Sequence, residues 1–117
     1  MKAQLRYIEP NDTLDWETFA ARESADPWDD WGWFTAGIGP DGEEGADLFQ
    51  VLVCTPMAMH KAIDGNEVFR GLVIDSFDPQ SIRNTIREFV AAIRGADWPD
   101  FVRQLQSALR WEYEGMA

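Results

Sequence analysis

The apolar residues of this chain change their period partway along, and that change limits the fold more than any other feature. Up to Asp75 the apolar segments are short, alternating or rich in residues that favour sheet. Residues 2–8 predict a first strand, with Ala3, Leu5 and Tyr7 on one face. Residues 31–38 and 47–54 predict two more, joined by Gly39-Pro40-Asp41-Gly42-Glu43-Glu44-Gly45. Proline followed closely by glycine is strong turn chemistry, so these two strands read as a hairpin with a long acidic tip. Residues 68–75 predict a fourth strand. A short helix is expected around Asp15–Arg22, capped by Asp12 or Thr13, with Trp16, Phe19 and Ala20 inward. Another is expected over Met57–Ile63, started by Pro56 and ended by Asp64-Gly65-Asn66.

Beyond Asp78 the spacing becomes helical. Asp78 caps and Pro79 starts a helix whose apolar positions are Ile82, Ile86, Phe89, Val90 and Ile93, and Gly95 stops it. Asp97 or its neighbour opens a second helix, with Trp98, Phe101, Val102, Leu105, Ala108 and Leu109 inward. The closing Trp111-Glu112-Tyr113-Glu114 fits a helix end or a short added strand. Strands first and helices last predict an α+β fold: an antiparallel sheet of about four strands with two C-terminal amphipathic helices packed on one face. At 117 residues the chain is read as a single domain, 1–117.

Charge narrows the function classes. The net charge is -11, and residues 1–60 carry twelve acids against three bases. Such a surface repels phosphate and anionic membrane, attracts cationic proteins, and speeds their encounter. No nucleic-acid partner and no membrane association are expected, since no large basic patch exists and no apolar run approaches the ~20 residues of a span. The lone cysteine, Cys54, excludes an internal disulfide and fits a reducing cytosol. No signal sequence is read at the N-terminus, so the cytoplasm is the expected location.

No catalytic motif competes with this reading. His60, the sole histidine, could act as a base beside Asp64, but it reads first as a surface residue. Cys54 reads as a small buried thiol. Asp26, Asp29 and Asp30, and then Asp41, Glu43, Glu44 and Asp47, offer oxygen ligands without the EF-hand pattern, so neither a metal nor a cofactor is expected. Trp28 stands evenly between core and interface, while Trp31 and Trp33 are expected in the core. Arg83 and Arg87, four apart, share one helix face.

The segment Gly39–Gly45, followed by Phe49-Gln50-Val51 and Cys54-Thr55-Pro56, resembles the central signature of the immunity protein 8 family of bacterial polymorphic toxin systems. The order of elements and the Trp111-Glu112-Tyr113-Glu114 tail are similar as well, whereas residues 10–30 match no motif. The resemblance implies a non-enzymatic cytoplasmic inhibitor that binds and blocks one cognate toxin domain, with no catalytic residue to transfer. Joined to the charge, it gives a basic toxin domain as partner and occlusion by an acidic surface as mechanism. The expected binding residues are Trp28, Asp29, Asp30, Asp41, Glu43, Glu44 and Asp47. Two other readings stand beside it. One is a self-associating adaptor or homodimer, with the Arg83–Arg87 face against the acidic half of a second copy. The other is a small enzyme working through His60 and Asp64.

Overall fold

A computed structural model describes residues 2–13, 15–22, 24–63 and 68–115. The elements are β1 (Ala3–Pro10), α1 (Trp16–Ala21), β2 (Trp31–Pro40), β3 (Asp47–Cys54), α2 (Met59–Ala62), β4 (Leu72–Val73), α3 (Pro79–Ala92), α4 (Trp98–Leu105) and β5 (Arg110–Trp111). The strands form one sheet in the order β1-β2-β3-β4, with β5 also on β3. The β1–β2, β2–β3 and β3–β5 pairs are antiparallel. The architecture is the expected α+β.

The hairpin register sets the core. Phe34 faces Val51 and Ala36 faces Phe49 across β2 and β3. Side chains alternate along a strand, so Phe34, Ala36, Ile38, Phe49, Val51 and Val53 share one face, and all are buried. Ile82, Ile86 and Val90 of α3 and Phe101, Val102 and Leu105 of α4 join the same cluster. Each fully buried Phe, Leu or Ile contributes about 1.5–3 kcal/mol relative to exposure. Asp78 and Asp97 cap these helices as their spacing predicts, each accepting from a backbone N–H three residues on.

Four expectations change. In β1 the register shifts between Leu5 and Tyr7, a bulge that reverses the pleat. Ala3 is therefore buried before it and Ile8 after it, while Tyr7 turns outward. Helix α1 is capped by Asp15, whose carboxylate accepts from Thr18 N at 2.7 Å, rather than by Asp12 or Thr13, and Ala20 is exposed. The segment 56–58 is a turn, so α2 begins only at Met59; the stop expected at Asp64-Gly65-Asn66 lies outside the described residues.

The strand expected over 68–75 shrinks to Leu72–Val73, and it runs parallel to β3. The cause is competition for one edge. Phe49 and Gln50 of β3 pair with Trp111 and Arg110, which leaves Val53 and Cys54 for β4. The tail left open by its alternation thus supplies a two-residue strand followed by a turn.

Candidate binding surface

The sequence-predicted binding residues fall at the two ends of β2. That strand has ten residues, so its ends are about 30 Å apart. Trp28, Asp29 and Asp30 precede it; Asp41, Glu43, Glu44 and Asp47 follow it. The structure does not bring these two groups onto one patch.

At the first end a pinned loop displays an aromatic ring. A four-membered aromatic group, Trp16, Phe19, Phe34 and Phe77, lies beneath it with ring centroids 5.3–6.3 Å apart. Phe77 N donates to Pro27 O at 2.7 Å. Fully buried Thr55 donates from its backbone N to Asp30 O at 3.1 Å, and its Oγ1 accepts from Asp30 N at 3.2 Å. Between these anchors the loop turns tightly, with Asp29 N donating to Asp26 O and Trp28 N to Asp26 Oδ1, both at 3.1 Å. The Trp28 side chain is thus held on an ordered backbone yet is 61% exposed.

The register collects further apolar groups here. Trp31 pairs with Cys54, which pairs with Val73. Trp31, Val73 and Met57 are all exposed, so this end presents four large apolar side chains. The core placement expected for Trp31 and Trp33 is corrected: Phe34, Ala36 and Ile38 take the inner face of β2, and the odd-numbered residues take the other. Trp33 is half-buried there under the Arg110 guanidinium, 5.7 Å from its centroid.

The acids of this end differ in their commitments. Asp26 is exposed. Asp29 Oδ2 pairs with Lys61 Nζ at 2.7 Å, while its buried Oδ1 lacks a hydrogen-bond donor among the described residues. Asp30 accepts from Ser24 Oγ and from Trp31 N. Neither Met57, Val73 nor Lys61 stood out in the sequence, because their arrival depends on the 54–58 turn and the short β4.

The hairpin tip is built differently. Gly42 and Gly45 take φ values of 82° and 94°, and a Cβ on Gly39 would stand 2.2 Å from Gly45 O. Glycine therefore makes this turn possible. Arg6 donates to Pro40 O at 2.7 Å and to Glu43 O, which fixes the tip to β1. Asp41, Glu43 and Glu44 are exposed. Asp47 faces inward: its Oδ2 accepts from the indoles of both Trp98 and Trp111 at 3.1 Å.

His60 is exposed on α2, and Asp64 lies outside the described residues. Cys54 is buried, and burial pushes its thiol up, the wrong direction for a nucleophile. Among the described residues no three His, Cys, Asp or Glu side chains are placed to hold a metal ion, and no helix is long and apolar enough to cross a membrane. Arg83 and Arg87 are exposed along α3, with the Arg83 guanidinium 4.7 Å from the Trp16 ring centroid.

No curated protein and no solved structure matches the chain. The family model described as immunity protein 8 matches residues 3–116, through the hairpin, the core and both late helices. The chain therefore belongs to the immunity protein 8 family, whose members are immunity proteins of polymorphic toxin systems.

Proposed function

We propose that this immunity protein neutralises a basic cognate toxin domain in the cytoplasm by covering its active site, without any turnover of its own. The Trp28 end is the covering surface. The observation that carries this reading is the exposed Trp28 ring on a backbone fixed by Phe77, Thr55 and Asp26. An aromatic anchor held in place loses little freedom on binding, and tryptophan is enriched among the residues that dominate interface energies.

Trp31, Met57 and Val73 extend the apolar centre, and Asp26, Asp29 and Asp30 border it. Asp26 is the exposed acid of this border, while Asp29 is already paired with Lys61 and adds to the local field. A standard interface takes about 800 Å² from each partner, roughly a ninth of the 7036 Å² surface of this chain. The acids at the hairpin tip stand too far off to share that contact. They add to the long-range field that brings a cationic partner in.

The test uses the toxin domain encoded beside this gene. Trp28→Ala is expected to weaken the complex about 30-fold or more, mainly through faster dissociation. Asp26→Asn is expected to slow association and flatten its salt dependence. Unchanged affinity in both variants removes this surface from the reading; association indifferent to ionic strength removes the electrostatic mechanism.

A further inference from the structure

Three of the ten cationic side chains of this acidic chain meet at one groove. It runs between β1 and α3, has a volume of about 320 Å³, and is lined by Leu5, Arg6, Tyr7, Ile8, Arg83 and Arg87. A second hollow, bordered by Trp16 and Pro79, continues along α3 and shares both Arg83 and Arg87. Arg83 is oriented by its stacking on Trp16. Among the described residues neither Arg83 nor Arg87 forms an ion pair. Three guanidinium groups line this hollow and no carboxylate does, so the groove fits a narrow acidic segment.

The chain carries such a segment beside it. The hairpin tip projects three exposed carboxylates, Asp41, Glu43 and Glu44, within four residues. Arg6 is the hinge between donor and acceptor surfaces: it lines the groove, and its guanidinium holds Pro40 O and Glu43 O of the tip. The tip does not reach its own Arg83 or Arg87 through any ion pair among the described residues.

We infer that the groove receives the hairpin tip of a second copy of this chain, forming a two-fold dimer. A two-fold axis beside Arg6 exchanges the adjacent tip and groove, so each copy gives one tip and accepts one, and the contact closes on itself. Pairing of β1 with its own symmetry mate is not the device, because the bulge at residues 5–7 and Pro10 break that edge. Trp28 lines neither hollow and its ring projects from the loop before β2, so the dimer contact does not use it.

Each copy carries a net charge of -11, which opposes encounter at low salt. Sedimentation velocity is therefore run on the full chain near 0.15 M salt, where screening acts beyond about 8 Å. The wild type is expected to shift from monomer toward dimer as concentration rises. Arg83→Glu with Arg87→Glu, and separately Asp41→Lys with Glu43→Lys and Glu44→Lys, are each expected to weaken the dimer at least about tenfold. An equimolar mixture of the two variants is expected to recover dimer, since one supplies an intact tip and the other an intact groove. All five positions are exposed, and circular dichroism with thermal unfolding checks that both variants fold. Should either fail, Arg83→Gln with Arg87→Gln and Asp41→Asn with Glu43→Gln replace them with the same expectation for each alone. A wild type that remains monomeric up to millimolar concentration overturns the inference, as does a dimer that survives both sets of substitutions. Loss of toxin binding in the arginine variant of a monomeric wild type also overturns it, by giving the groove to the toxin.

Discussion

Replacing Asp47 by leucine removes the shared acceptor of two indole N–H groups. Asp47 opens β3, Trp98 opens α4 and Trp111 lies in β5, so one carboxylate oxygen ties three elements separated by 51 and 64 residues of chain. Hydrogen bonds to a charged group contribute about 1.5–3 kcal/mol each when their partners are shielded from water. Both indoles are only half-buried, so water replaces part of what is lost, and the two together come to about 2–3 kcal/mol. Unfolding entropy of about 2.1 cal/mol/K per residue gives about 0.25 kcal/mol/K for 117 residues. The Asp47→Leu loss then reads as a fall in Tm of about 8–12 °C. Asp47→Asn keeps an oxygen in place without its charge and is expected to fall about half as far.

Urea and thermal unfolding followed by tryptophan fluorescence suit the experiment, since two of the reporting rings are the partners themselves. A leucine variant within about 0.5 kcal/mol of wild type would refute the assignment, because surface substitutions typically lie in that range. So would an asparagine variant as unstable as the leucine one. The rate at which toxin dissociates from the asparagine variant should remain that of wild type, which separates Asp47 from the acids proposed for contact.

Asp78→Ala removes the cap of α3 and is expected to cost about 1 kcal/mol in urea unfolding. Burial pushes the Asp78 carboxyl up, but hydrogen bonds from Ser81 N and Oγ outweigh it and hold the group below its ordinary value of 3.8. Glu114 is held below 4.5, chiefly by the Arg70 guanidinium. Folded values lowered in this way give stability that is present above 4.5 and 3.8 and is lost as pH falls through the folded values, so Asp78→Ala should flatten the acid limb of an unfolding profile. Gly39→Ala places a methyl 2.2 Å from Gly45 O, which forces backbone movement at the tip; a loss of about 1–3 kcal/mol is expected by the same unfolding measurement.

Local chemistry made much of this fold legible. The Pro-Asp-Gly turn announced the hairpin, and period 3.6 with an Asp-Pro start announced α3. What stayed hidden depends on which distant segments compete. The bulge falls where Arg6 bonds Pro40 O and Glu43 O, partners more than thirty residues away, and nothing within 2–8 itself marks it. The fourth strand shrank because β5 had taken the β3 edge at Phe49 and Gln50. The aromatic positions misled for a related reason. Three bulky residues within 31–34 all suit a core, and only the pairing with β3 decides that Phe34 enters while Trp31 and Trp33 do not.

The acidic excess separates into roles that composition alone runs together. Asp15, Asp78 and Asp97 cap helices, Asp47 holds two indoles, Asp30 receives Ser24, and Asp12 and Asp29 meet Arg22 and Lys61. A capped or hydrogen-bonded carboxylate still carries its charge, so all of these acids feed the field felt by an approaching partner. Their ability to make a new contact is another matter, because an occupied oxygen must first give up its donor. The salt dependence of association should therefore follow the total charge, while dissociation follows Trp28 and the few acids with an open acceptor. A dense run of acids in the sequence thus speaks to how fast a cationic partner arrives. Where that partner rests is decided by the loops that hold a tryptophan outside the core.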